Sequence, residues 1–600
     1  MAQPTPGAVP LQVSQQPFLR GQLAHPDSRA YVVAHELLYE AEGLTVDTVQ
    51  RAIRQALQEA DSLNRYLHED DAGNWWNVPG EVTGATHTFL DFSTAPDPLA
   101  AFRSWCLQDV ASPLPLHGPA IGYRDCVAAL REGQIGWYAI AHHALTDGWG
   151  GMLQARRVSE LVGAFHAGLP APAPTASSLR EHAAEPAGTV SGAAEYWLSQ
   201  LRDAPQRVSF TEHTAAAIEL PRAGTFDIPE ARLAEAAGST SLSWRDLVAG
   251  AVLSYTTALV QGGGDGAALV GLPVVGRHSD VAKRSHLTAM TTLPLRVDVN
   301  DRDCLLDVSA RFRARLKESY AHQRVLMSDL RETSPELFRR PRLYGPLLNI
   351  IPFHSSIDAG EVSAKHRVIS YGPVDDFSFT FEPRRAGWIT AEILANPALY
   401  SEEDFNAHVE RFASWCAQLL DAPTTPLADI PALTPSEKAS ATMLAATSSA
   451  IPAVAHTVPP WGTRLPAAEL AALASSATGR SVTGIAVRSH GGRTCTFGQV
   501  GELHALTDTG LVPTGLLAAP TVGGAVFRGA VADRYEVGEY TVEKGQLLRA
   551  LEGSSGEWSV EFSGGKILAR TPSPLSAEEK KSVRDALRAV TPARVRVVEG

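Results

Sequence analysis

Trp137-Tyr138-Ala139-Ile140-Ala141-His142-His143-Ala144-Leu145-Thr146-Asp147-Gly148-Trp149-Gly150 is an apolar run that delivers two histidines and, four residues after the second, an aspartate followed by glycine. The run predicts a buried strand that feeds an active loop. Imidazole titrates near neutral pH, so such a side chain can take a proton from an attacking amine or hydroxyl and pass it on. His143 is the candidate for that role. Successive strand side chains point to opposite faces, so His142 and His143 cannot share one cavity if the strand continues that far. That separation disfavours a shared metal ion, and no other Cys or His stands at a spacing that completes a zinc site. A pair of core histidines is the structural alternative. Asp147 precedes Gly148, where a sharp turn costs little, which marks it as a buried carboxylate that pairs with an arginine and holds the loop.

The 600 residues, 44% of them apolar, exceed what one core usually supports, so two or more domains are expected. Fifty-two basic against 65 acidic residues give a net charge of −13, which disfavours nucleic acid or an anionic membrane as a partner. An acidic protein partner would need a local basic patch. The five cysteines, Cys106, Cys126, Cys304, Cys416 and Cys495, are odd in number and form no C-x-x-C pair. They read as reduced, mostly packed thiols of a cytoplasmic chain. The N-terminus lacks a basic and then apolar leader, and the most apolar window, Leu511 to Phe527, is broken by Pro513, Gly515, Pro520, Gly523 and Gly524. No membrane span is expected.

Around the motif, residues 1 to 10 are Pro-rich and expected to be loose, and Ser14-Gln15-Gln16-Pro17-Phe18 receives no chemistry. Tyr31 to Tyr39 reads as a strand; Val46, Val49, Ile53, Leu57 and Ala60 read as a helix face behind a Thr45 cap. Asp61 and Arg65 start the next strand. Met152 to His166 looks helical, and Gly168-Leu169-Pro170-Ala171-Pro172-Ala173-Pro174 is a stiff extended crossing between two lobes. Ser243-Trp244-Arg245-Asp246 looks like a capping box before a helix from Leu247 to Val260, ended by Gly262-Gly263-Gly264. Ala268 to Val275 is a strand that places Arg277 at its end, the first choice of partner for Asp147, with Arg65 second. Trp388 to Ala395 alternates like a strand, and Ser401 caps a helix carrying Phe405, Val409, Phe412, Cys416 and Leu419 on one face. Ser576-Ala577-Glu578-Glu579 caps a last helix before a strand from Val595 to Val598. The alternation predicts an α/β chain: lobes at 1–175 and 176–436 and a small α/β domain at 437–600.

His142-His143-x-x-x-Asp147-Gly148 resembles the signature of the condensation domains of nonribosomal peptide synthetases, in the chloramphenicol acetyltransferase-like superfamily. Glu59 to Arg65, Gly271 to Arg277, Tyr344 to Ile350 and Gly372 to Phe377 resemble further blocks of that family, so the likeness covers roughly residues 8 to 440. It implies two chloramphenicol acetyltransferase-like lobes in a V shape with a tunnel between them and the active loop midway. His143 then serves acyl transfer beside His142, Asp147 is mainly structural, and Gly148 completes the catalytic set. Trp149, Thr291 and Asp376 fall on the tunnel. Thr291-Thr292-Leu293-Pro294-Leu295-Arg296 resembles the family's N-T-L-P-L-R, with Thr291 in place of asparagine, and the family's first-lobe arginine aligns nearer Asn64 than Arg65.

The resemblance implies acyl or aminoacyl transfer from a carrier-protein thioester to an amine. The donor acyl or peptidyl carrier protein comes in trans with its 4'-phosphopantetheine arm, and the acceptor is a second carrier protein or a free amine. No cofactor or metal is expected on this chain. Ester formation from a carrier or CoA thioester, and a non-catalytic role in recruiting carriers, are the alternatives. Residues 426 to 438 resemble the linker that leads into an adenylation domain. Leu444 to Thr447, and Gly484 to Val487 with Thr494 to Phe497, resemble such a domain's opening, but its nucleotide loop and lysine tail are missing. With no G-G-x-S and no G-x-S-x-G in the remainder, residues 437 to 600 read as an adenylation-domain remnant or a docking module.

Overall fold

The computed structural model describes residues 5–599 apart from 81–86, 117–120, 186–188, 203, 206, 212, 261–265, 340–341, 353–355, 438–457, 489–494, 496–497, 522–523, 538–539, 564–565 and 592–593. Gly262 to Gly264, Lys438 and Leu444 to Thr447 lie outside the described residues, as do Thr494, Thr496 and Phe497.

The motif run forms the strand Gln134–His142, buried from its second residue onward. Its odd-numbered side chains, Ile135, Trp137, Ala139 and Ala141, pack with the helices Val46–Glu59 and Gly148–His166. Tyr138 and Ile140 face the other way, onto Phe102 and Cys106 of the helix Pro98–Val110. Helices cover both faces, which is why the run reads as continuously apolar rather than alternating.

This strand is inside a six-stranded sheet of order 356–357, 363–371, 32–40, 134–142, 123–131, 87–91. Its pairings are antiparallel except that His87–Asp91 runs parallel to Tyr123–Arg131. Two of its strands come from the far half of the chain: Ser363–Tyr371 adds to Val32–Glu40, and Ser356–Ile357 adds to that. A division at 175/176 leaves an open strand edge, and the later segment fills it. The second sheet has the order 291–299, 266–274, 347–350, 377–385, 388–395, 222–229, with only Leu347–Ile350 parallel to its neighbours. Phe377, Phe379 and Phe381 point from this sheet into a core shared with Phe412 and Trp415 of the helix Glu402–Asp421; the Phe379 and Phe412 rings lie 4.5 Å apart. The chain therefore passes from the first sheet to the second through residues 372 to 376.

Local expectations shift in places. Of the N-terminal stretch expected to be loose, residues 8 to 10 are held: Val9–Pro10 pairs with Asn77 and Trp76, and Ala8 is fully buried. The helix expected from Met152 starts at Gly148, and the capping-box helix at Trp244 rather than Leu247, with Ser243 N–H and Oγ both donating to Asp246. Asp61–Asn64 is a 3-10 turn, and the strand begins at Arg65.

In the C-terminal region the strands 464–466, 524–530, 510–521, 501–507 and 484–488 form an antiparallel sheet in that order, with the helix Ala467–Thr478 on it. Gly484–Arg488 takes Gly501–Thr507 as its hairpin partner; from the segment expected there, Cys495 donates its N–H to the Val487 carbonyl. The strands 559–563, 566–571 and 594–599 form a second, smaller sheet beside the Ser576-capped helix Ala577–Val590. Arg464 ties the larger sheet to Glu403 at 2.8 Å. Among the described residues no helix is long and apolar enough to cross a membrane.

A boundary at 436 cuts through a structural contact. Glu437 caps Thr434 and pairs with Arg411, the two side chains being 2% and 1% exposed. Removing one partner of such a pair typically costs about 3–5 kcal/mol, because the other charge stays buried. Glu437→Ala, and equally a chain shortened to residues 1–436, is expected to lose stability on that scale in urea unfolding, whereas a chain ending at 442 keeps it. Equal midpoints for chains ending at 436 and 442 would refute this.

Candidate active site

The strand delivers His142 as its last residue and His143 as the first beyond it, and they do point apart. His142 is fully buried, with Nε2 3.2 Å from Gln22 Oε1 and Nδ1 accepting the Ala144 N–H at 3.1 Å. Burial, helped by His143, pushes its imidazole down to about 3, so it stays neutral and holds the turn. His143 opens onto the cavity between the sheets. Its N–H donates to the Tyr31 carbonyl at 2.9 Å, and its ring stacks on Phe18 with centroids 4.1 Å apart and planes 9° from parallel. Gly372 presses on the ring as well: it has φ +102°, and a Cβ there would sit 2.3 Å from His143 Cδ2. His143 is 4% exposed, and its Nδ1 has no hydrogen-bond partner among the described residues. Burial holds this imidazole below its ordinary 6.5, with the Asp147 carboxylate opposing.

Asp147 is not in a glycine-bent loop. It is the N-cap of the helix Gly148–His166, accepting the Gly150 N–H at 2.9 Å. Gly148 is the helix's first residue, exposed and without positive φ, and a Cβ added there meets nothing within 4 Å. The Asp147 carboxylate also takes both Arg277 Nη atoms at 2.8 and 3.0 Å and the N–H groups of Ala289 and Met290 at 2.9 and 3.0 Å. Arg277 donates further to the carbonyls of Val275 and Leu287. Gly276, at φ +66°, makes this possible, since a Cβ there would lie 1.9 Å from the Ala289 carbonyl oxygen. Burial works to raise the Asp147 carboxyl, and Arg277 with the amides outweighs it, leaving the group below its ordinary range. Arg65 takes no part: it pairs with Asp61 at 2.7 Å and donates to the Gly7 and Asn77 carbonyls. A charged partner four residues back satisfied it first.

Trp149 and Thr291 line the cavity, and Trp149 Nε1 donates to the Lys283 carbonyl across the lobes at 2.9 Å. Asp376 also lines it, but with its carboxylate engaged by Arg342 and by the Tyr400 hydroxyl. Phe18 was missed from sequence, although the one large aromatic in a polar, Pro-containing stretch was a signal. Gln15 of that stretch is buried and donates to Asn77 Oδ1 and the Ala144 carbonyl, which fixes Phe18's helix to the active turn. The cavity measures about 2160 Å³. No group of three His, Cys, Asp or Glu among the described residues could hold a metal ion.

Two outcomes test this geometry. In a cycle of Asp147→Asn, Arg277→Met and the double variant, the losses on unfolding should be non-additive by about 1–3 kcal/mol, with the double variant still short of wild type because three amides lose a charged acceptor. Additive losses would show that the two side chains do not depend on each other. The depressed carboxyl makes this contribution complete above its ordinary 3.8 and lost as pH falls through the lower folded value. Separately, Phe18→Ala admits water to His143, so the imidazole's titration followed by NMR should move up toward 6.5; an unchanged titration would place its desolvation elsewhere.

The family model for the condensation domain matches residues 6–442. Isonitrile lipopeptide synthase of Streptomyces coeruleorubidus is 29% identical over 435 residues, 70% of this chain and 29% of that protein. The dimodular nonribosomal peptide synthase of Bacillus subtilis (strain 168) is 27% identical over 401 residues, 65% of this chain and 16% of that one. Enterobactin synthase component F of Escherichia coli (strain K12) is 26% identical over 439 residues, 70% and 33%. The chain thus spans a third or less of these relatives' length. Among solved structures, the starter condensation domain of rhizomide synthetase in complex with C8-CoA superposes with a TM-score of 0.63 at 23% identity, over 71% of this chain and 97% of that one. The first condensation domain of the calcium-dependent antibiotic synthetase gives 0.63 at 23%, over 72% and 100%. The fold is therefore the chloramphenicol acetyltransferase-like pair of lobes. Because the family match takes in both large sheets and the whole motif, the chain belongs to the condensation-domain family found in nonribosomal peptide synthetases.

Proposed function

We propose that the chain transfers an acyl or aminoacyl group from a carrier-protein thioester to an amine. The amine nitrogen bonds to the thioester carbonyl carbon, the carbon–sulfur bond breaks, and the products are an amide and the carrier's free thiol. The proton lost by the amine passes to His143, and the departing sulfur takes one up. The observation that carries this reading is a buried, neutral imidazole standing in the wall of a cavity that both lobes enclose. A single ligand site usually measures about 300–1000 Å³. This cavity is large enough for two substrates end to end. Holding two reactants in line can supply about 7–11 kcal/mol, more than the roughly 10²–10⁴-fold of a general base.

The donor arrives as a 4'-phosphopantetheine thioester on an acyl or peptidyl carrier protein in trans, and the acceptor as a second carrier protein's cargo or a free amine. The rhizomide synthetase domain, solved with an acyl-CoA, supports entry of a pantetheine thioester. For residues 443 to 600, beyond the family match, we favour a docking module, supported by the Arg464–Glu403 tie to the second lobe.

His143→Ala is expected to lower turnover by about 10²-fold or more with little change in Tm, since the imidazole faces a cavity rather than a core. With a weakly basic aromatic amine as acceptor, the acid limb of the rate profile should fall below pH 6.5, because a depressed imidazole stays unprotonated to lower pH. Undiminished turnover in the variant at saturating substrates would overturn the assignment of His143.

A further inference from the structure

Residues 372 to 376 join the first sheet, which ends at Tyr371, to the second, which begins at Phe377. Gly372 touches the His143 ring, and three residues of chain span at most about 11 Å, so Asp375 lies within that reach of Gly372. Its side chain is exposed to the cavity it lines. No described residue donates a hydrogen bond to its carboxylate, unlike that of Asp376, which Arg342 and Tyr400 hold. Among the described residues Arg342 is the guanidinium that acts on both carboxylates, and it pairs with Asp376 rather than Asp375. Two phenols, Tyr31 and Tyr344, line the same cavity. Burial first and the Asp375 charge second raise the Tyr344 hydroxyl to about 12 and the Tyr31 hydroxyl as well. Tyr31 is the residue whose carbonyl holds the His143 N–H. Enclosure by the cavity walls raises the Asp375 carboxyl, with Arg342 opposing and Asp376 adding to the rise, so a cation bound there would relieve an unfavourable charge.

A carboxylate that shares its cavity with two phenols and with a buried imidazole whose Nδ1 is unpartnered among the described residues is a site for an ammonium group. We propose that Asp375 is the acceptor-recognition residue of this cavity: its carboxylate binds the ammonium end of the acceptor and so selects an amine over a hydroxyl. This rests on the amide-forming reading above. The ammonium captured at Asp375 gives up one proton to solvent in the cavity, and the free amine then attacks and passes a second proton to His143.

The test is a ligand-observed NMR titration of the full chain at pH 7 with pentan-1-amine and with pentan-1-ol, which differ in one charged end. The wild type should bind the amine at least about tenfold more tightly; Asp375→Asn should bring the two within about twofold, and Asp375→Glu should keep the preference. Equal binding by the wild type, or an undiminished preference in Asp375→Asn, overturns the proposal. Should Asp375→Asn not fold, the wild-type and Asp375→Glu titrations decide it. Amide formation from an octanoyl N-acetylcysteamine thioester is followed in parallel. An intact amine preference without any amide supports Asp375 and counts against the condensation reading, while amide formation without the preference sinks Asp375 alone.

Discussion

One buried carboxylate constrains the whole arrangement. Asp147 is 2% exposed and cannot remain charged there unless its oxygens are filled, and they are filled from both lobes. The Gly150 amide comes from its own helix; the Arg277 fork and the amides of Ala289 and Met290 come from the second lobe. A buried ion pair adds little net stability over an apolar contact of the same shape, but it penalises any arrangement that separates the partners. The pair therefore fixes where the lobes meet, and His143, four residues upstream, is fixed with it.

The two histidines divide the labour because the strand's pleat parts them. His142 turns inward, where full burial makes it a neutral strut for the turn at Ala144. His143 turns to the cavity, held between the Phe18 ring and the Gly372 backbone. Desolvation keeps this imidazole in its proton-accepting form without any charged partner in direct contact.

The first sheet is finished by strands from the second half of the chain, so the cavity cannot form before both halves have folded. The segment that returns from that exchange passes directly over His143 and carries Asp375. The topology thus places the crossing, the base and the Asp375 carboxylate around one space, which the helix Gly148–His166 and the end of the strand Gly266–Val274 also line.

The sequence by itself determined the buried strand with its parted histidines, most of the helix caps, the α/β class and the need of Asp147 for an arginine. Each follows from local rules: period-two alternation, cap chemistry and the cost of a lone buried charge. Which arginine answers Asp147 was decided by tertiary structure, since Arg65 is consumed by Asp61 in its own turn while Arg277 is carried to the site by a strand 130 residues away. What Phe18 packs against, the strand that residues 363–371 lend to the first lobe, and the burial of Glu437 against Arg411 were likewise decided by tertiary structure. They depend on contacts between segments far apart in the chain, and no local periodicity or cap records which distant surface a residue will meet.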